Sequence, residues 1–178
     1  MPFGRSGEER VAADGATAAG GMARAIFRGV THLSLDAKGR LAIPARHRDA
    51  LSPPGPVDGK PLPMVITVDR SRCLLIYPQA EWEPIQSRLM SLPSFKPENR
   101  ALQRLMVGHA DAAELDSAGR ILVPSALREF AGLDHQVAFV GQGNRFELWD
   151  LARWQQATTE AITSAEGPLT SELEGFCL

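Results

Sequence analysis

Residues 35–48 read LDAKGRLAIPARHR, and residues 115–128 read LDSAGRILVPSALR. The two stretches agree at six positions, Leu, Asp, Gly, Arg, Pro and a final Arg, each displaced by 80 residues. Asp at the start of a turn accepts backbone N–H bonds and shapes the loop. Gly39 and Gly119 are free to take positive φ. After the turn, Leu41 and Ile43 alternate with Arg40 and Ala42, which is the period of a strand. Pro44 and Pro124 end that strand and suit the first position of a helix, where no N–H is needed. Each copy therefore predicts a β-hairpin followed by a short helix: a strand over 26–36, a turn, an outgoing strand over 40–44, then one or two helical turns.

The parallel extends beyond the rhyming segments. After the first copy, residues 52–63 hold five prolines and two glycines and read as a loop. MVITVD and CLLIYP, joined by a short polar turn, predict a second hairpin, and residues 79–92 predict a helix with Trp82, Ile85, Leu89 and Leu92 on one stripe. A helix over 97–108 follows. The pattern then restarts with a strand over 110–116, a turn, RILVP and a helix closed by Gly132. A hairpin of QVAFVG and RFELWD around QGN comes next, then a helix over 151–162. Tyr77 and Trp149 both end strands, and Trp82 and Trp154 lie five residues further on. Both tryptophans read as helix-to-sheet anchors. The unit is hairpin, short helix, hairpin, helix, written twice. The expected organisation is a disordered N-terminal extension over 1–25, a first repeat over 26–95, a second over 96–163 and a tail over 164–178. Met22 offers a second start within that extension.

The chain has 178 residues, 44% of them hydrophobic, which suffices for a core. No apolar run approaches the roughly 20 residues that span a bilayer. Net charge is −2, but the charge is unevenly placed. Residues 24–48 carry Arg24, Arg28, Lys38, Arg40, Arg46 and Arg48 against Asp36 alone, while residues 107–133 carry Arg120 and Arg128 against Asp111, Glu114, Asp116 and Glu129. The first repeat is basic and the second is not. Cys73 and Cys177 have neither metal-site nor disulfide spacing. His32, His47, His109 and His135 form no i,i+4 pair near other ligands. No phosphate loop, nucleophile elbow or paired-carboxylate motif is present. The expectation is no enzyme, no cofactor and no metal.

Two readings of the motif charges stand side by side. Asp36 and Arg40 form an ion pair that caps the turn, or Lys38 and Arg40 leave the tip as a fork of donors for phosphate or guanine. A two-stranded ribbon fits the DNA major groove. Arg46 and Arg48 lie on the short helix as a solvated face or as further cationic contacts, and Arg128, which matches Arg48, hints at a shared structural role.

The stretch FRGVTHLSLDAKGRLAIPARHRDAL resembles the opening of the MraZ proteins, bacterial transcriptional regulators with tandem AbrB-like domains. Their Asp-x-x-x-Arg hallmark occurs here as Asp36 to Arg40 and as Asp116 to Arg120, and the resemblance covers residues 27 to about 162. It implies an α+β, β-rich fold of two tandem AbrB-like swapped-hairpin units, which form a pseudo-twofold β-barrel with flanking helices. It implies a homo-oligomeric ring, of eight or twelve subunits, in the cytoplasm and on the nucleoid, with no membrane contact. Its partner would be double-stranded DNA, as short direct repeats upstream of its own gene in the division and cell-wall cluster. The DNA-binding residues carried over are Arg28, Lys38 and Arg40, joined by Arg46, Arg48 and Arg120. Asp36, Gly39, Pro44, Asp116, Gly119 and Pro124 are the structural members of the motif. Ala118 stands where the first copy has Lys38, so the first tip is expected to dominate. The alternative is an oligomerisation scaffold or antitoxin-like module without DNA contact.

Overall fold

The computed structural model describes residues 26–51 and 63–164. The expected N-terminal extension and nearly all of the expected tail and proline-rich loop lie outside the described residues. The fold is α+β. The first copy gives β1 (Phe27–Ser34), β2 (Arg40–Ala42) and α1 (Ala45–Leu51), followed by β3 (Met64–Val68), β4 (Leu74–Pro78) and α2 (Gln79–Met90). Helix α3 (Pro97–Met106) leads into β5 (Asp111–Ala113), β6 (Arg120–Leu122), α4 (Ser125–Ala131), β7 (Gln136–Gly143), β8 (Arg145–Asp150) and α5 (Leu151–Ser164).

Six strands form one antiparallel sheet in the order β1-β7-β8-β4-β3-β5, and β2 pairs with β6 in a separate ribbon. The two hairpins β3–β4 and β7–β8 form as the sequence predicts. The expected hairpin of β1 with β2 is corrected. Only a bridge between Leu35 and Leu41 joins them, and β1 runs its full length against β7, from Phe27 opposite Gly143 to Ser34 opposite Gln136. The second copy behaves alike, with β5 on β3 and β6 on β2. The turn reverses the chain, but the strands beyond it diverge, because each pairs with a strand of the other half. The expected barrel is also corrected: β1 and β5 lie at opposite ends of the sheet, which stays open.

Both faces of the sheet are covered. On one face Phe27, Ile66, Leu74, Ile76, Phe139, Phe146 and Leu148 pack with Leu41, Ile43, Ile121 and Val123 of the ribbon region and Leu127 of α4. On the other, Val65, Leu75, Tyr77, Ala138, Val140 and Trp149 pack with Trp82 and Leu89 of α2 and with Trp154 of α5. Residues on alternate sides of β3, β4 and β7 thus serve different cores, which is why these strands are apolar on both sides. The two tryptophans are anchors as read: Trp82 lies 5.7 Å from Tyr77, and Trp154 5.8 Å from Trp149, between ring centres.

The ribbon obeys the strand period closely. Leu41 and Ile121 face each other and are both fully buried. Beyond them Ile43 donates to the Gly119 carbonyl at 3.0 Å, and Val123 to the Gly39 carbonyl at 2.9 Å, which extends the ladder. Ile43 and Val123 are buried in turn, while Ala42 and Leu122 point outward.

Candidate nucleic-acid interface

The two turns are built by the same bonds. Asp36 Oδ1 accepts from the backbone N–H groups of Lys38 and Arg40, both at 2.9 Å, and Asp116 Oδ1 accepts from those of Ala118 and Arg120, also at 2.9 Å. In each turn the glycine N–H donates to the aspartate carbonyl at 2.8 Å, and Gly39 and Gly119 have φ of 77° and 72°. Arg40 Nε donates to Asp36 Oδ2 at 2.7 Å, and Arg120 Nε to Asp116 Oδ2 at 2.8 Å. The ion-pair reading of the motif is therefore what both copies share. The Arg40 backbone N–H, helped by its guanidinium, holds the Asp36 carboxyl down at about 2. The Arg120 guanidinium, and after it the Arg120 backbone N–H, lowers Asp116, and the pair raises the pKa of Arg120 in return. Both carboxylates stay ionised across any neutral or mildly acidic range.

The ribbon brings the two motif arginines to one surface. Arg40 is opposite Leu122, and Ala42 is opposite Arg120. Residues two apart on a strand share a face, so Arg40, Ala42, Arg120 and Leu122 lie together on the side away from buried Leu41 and Ile121. Arg40 and Arg120 are diagonal neighbours there, with about 7–8 Å between such positions. Leu122 is 55% exposed in the middle of this face. Lys38 is exposed at the first tip.

The other predicted cations are placed as follows. Arg28 is exposed on β1. Arg46, exposed on α1, reaches over the same strand and donates to Thr31 Oγ1 at 2.5 Å, with its Nε donating to His47 Nε2 at 3.1 Å. Arg48, half-buried, lies across the structure against Gly119 of the second turn. Pro44 and Pro124 open α1 and α4: each carbonyl accepts from the N–H four residues on, Arg48 at 3.1 Å and Arg128 at 3.0 Å.

Two contributors were not read from the sequence. His47 is a core residue, 5% exposed, with its ring 4.9 Å from Phe146 and 5.9 Å from Phe139. Burial among these rings, and then the Arg46 charge, pushes its pKa down. Arg128 lies over Gly39 of the first turn, although its match with Arg48 was visible. Among the described residues no group of three or more His, Cys, Asp or Glu side chains is placed to hold a metal. Within the same residues no helix is long and apolar enough to cross a membrane.

Comparison with known proteins places this arrangement. A family model described as "MraZ protein, putative antitoxin-like" matches residues 26–105 and again residues 106–171. The chain is 53% identical over 153 residues to a protein of Nitrosomonas europaea named transcriptional regulator MraZ, covering 86% of this chain and all of that one. Proteins of the same name from Methylobacillus flagellatus and Thiobacillus denitrificans are 51% and 49% identical over the same lengths. With both of its Asp-x-x-x-Arg turns inside the two matched segments, the chain belongs to the MraZ family.

Proposed function

We propose that this chain is a DNA-binding transcriptional regulator and not an enzyme. It recognises short direct repeats upstream of its own gene, in a bacterial division and cell-wall gene cluster. The observation that carries the reading is the outward face of the β2–β6 ribbon, where Arg40 and Arg120 sit diagonally across a two-stranded antiparallel ladder. Such a ribbon suits the width of the major groove, and arginine is the side chain that most often reads guanine there. Lys38 at the adjacent tip, with Arg28 and Arg46 on β1 and α1, supplies phosphate contacts. The names of the relatives support the regulatory part.

The palindromic strand order, with β1 on β7 and β5 on β3, supports a pseudo-twofold exchange of hairpin elements between repeats spanning 26–95 and 96–163. The same reading includes a cytoplasmic, nucleoid-associated homo-oligomer, a ring of eight or twelve subunits. Several weak tips in register with repeated boxes then bind by avidity. The family description "antitoxin-like" favours one alternative, an oligomerisation scaffold without DNA contact.

The test is a gel-shift titration of Arg40→Ala against the DNA upstream of the gene, at several salt concentrations, with the assembly state followed by light scattering. Loss of Arg40 weakens binding without altering the assembly, and Arg120→Ala weakens it less because its tip carries Ala118. Unchanged binding by an intact Arg40→Ala assembly rejects the ribbon as the reading surface. No shift of that DNA by the intact parent assembly, even at low salt where phosphate contacts are strongest, favours the scaffold.

A further inference from the structure

Gly39 and Gly119 are buried although they sit at the tips of turns. What covers each is an arginine from the other half of the chain. A Cβ built on Gly39 would lie 2.7 Å from Arg128 Nε and 2.8 Å from its Cζ, and a Cβ on Gly119 would collide with the Arg48 guanidinium in the same way. Arg128 is itself anchored: its Nε donates to the Val123 carbonyl at 3.2 Å, and the Val123 N–H donates to the Gly39 carbonyl. Arg48 and Arg128 occupy matching positions of the two rhyming segments.

We infer that Arg48 and Arg128 are positioning residues that fix the two tips crosswise, the second repeat's arginine holding the first repeat's turn and the reverse. The glycine then has two duties, positive φ and an empty place for a guanidinium. A tip covered in this way keeps Lys38 and the Asp36–Arg40 pair in one arrangement before DNA arrives, so less conformational freedom is lost on binding. Arg128, in the acidic repeat and half-buried against Gly39, thereby controls DNA affinity without touching DNA. This last step rests on the DNA-binding reading above; the crosswise hold does not.

The experiment has two arms on the full chain. In the first, amide hydrogen exchange is followed by mass spectrometry in peptides covering residues 36–41 and 116–121. Arg128→Ala speeds exchange in the first segment by about fivefold, the factor expected from a modest loss of local stability, and leaves the second unchanged. Arg48→Ala does the reverse. Exchange that changes in both segments alike, in the mutated repeat's own turn, or in neither overturns the crosswise hold.

In the second arm, Arg128→Ala weakens DNA binding while the slope of affinity against salt stays at the parent value, whereas loss of a phosphate contact lowers that slope by about 1. Arg128→Lys, which keeps the charge and stem but not the planar fork, recovers only part of the affinity. A reduced slope makes Arg128 a contact and overturns the positioning role. A crossed exchange pattern with no DNA binding in any protein, parent included, upholds the hold and rejects the DNA reading. Should Arg128→Ala fold poorly, Gly39→Ala replaces it. Its effect on melting is non-additive with Arg128→Lys and additive with Arg48→Lys; additivity in both overturns the hold.

Discussion

Replacing Gly141 by alanine tests the pairing that the local sequence did not reveal. Gly141 of β7 is opposite Gly29 of β1. A Cβ there would lie 2.7 Å from the Phe27 carbonyl carbon and 2.8 Å from Arg28 Cα, both backbone atoms of β1. No rotamer change relieves such a contact. The Arg28 backbone nitrogen is nearer still, so restoring an ordinary separation of 3.4 Å moves β1 back by roughly 1 Å, enough to weaken dispersion contacts noticeably. That movement drags Phe27, which is 1% exposed and 4.1 Å from the Phe146 ring. Forcing extra atoms into packed structure costs about 1–3 kcal/mol, and replacing a strand glycine returns about 0.5–1 kcal/mol. Because the collision is with backbone that cannot change rotamer, the upper part of that cost applies, about 2–3 kcal/mol, and less about 1 kcal/mol returned it leaves a net loss of about 1–2 kcal/mol. With a urea dependence near 2 kcal/mol per molar, the unfolding midpoint falls by roughly 0.5–1 M. The assay is urea unfolding followed by tryptophan fluorescence at fixed protein concentration. Gly141→Ser falls by the same amount, since the collision belongs to the Cβ. A midpoint unchanged in both variants refutes the close approach of β1 and β7.

Three further outcomes are expected. Phe146→Ala removes the ring that packs between Phe27 and Phe139 at 4.1 and 4.4 Å and costs about 3–5 kcal/mol in the same unfolding assay; a loss below about 1 kcal/mol would contradict the aromatic core. Stability declines as pH falls below the ordinary histidine value of 6.5, because buried His47 has a lowered pKa and the unfolded chain binds the proton first. His47→Gln flattens that decline between pH 7 and pH 5, and an undiminished slope in the variant places its source elsewhere. Asp36, held at about 2 against 3.8 in the unfolded chain, contributes stability fully above the higher value and loses it as pH drops through the lower. Asp36→Asn is accordingly less sensitive to acid than the parent between pH 4 and pH 2, as judged by far-ultraviolet circular dichroism.

The parts of the fold written locally were legible. The Asp–Gly turn, the alternation of Leu41 and Ile43, the helix start at Pro44 and the αL end of α4 at Gly132, with φ of 60°, each follow from neighbours a few residues apart. The partner of β1 was not legible. Its residues alternate as any half-exposed strand does, and nothing within ten positions distinguishes a partner at β2 from one at β7. Open sheet and closed barrel likewise differ only in which distant edges meet. The motif's chemistry was half legible: the sequence allows an Asp36–Arg40 ion pair or a fork of Lys38 and Arg40 donors, and the bonds of the turn form the pair. The roles of His47 and Arg128 depend on what covers what after folding. A lone histidine on a short helix and an arginine beside Glu129 carry no local mark of an aromatic cage or a covered glycine.

The exchange of partners between β1 and β7 also has a consequence for the timing of synthesis. Strand β1 leaves the ribosome early, but its hydrogen-bonding partner ends at Gly143, more than a hundred residues later. At about 5–20 residues per second, β1 waits on the order of 5–20 s without its sheet. Its composition suits the wait: Arg28, Gly29, His32 and Ser34 make it a polar, interrupted strand that resists pairing with neighbouring nascent chains. A message cut between the two copies would release chains whose β1 has no home, and two such halves would have reason to pair with each other.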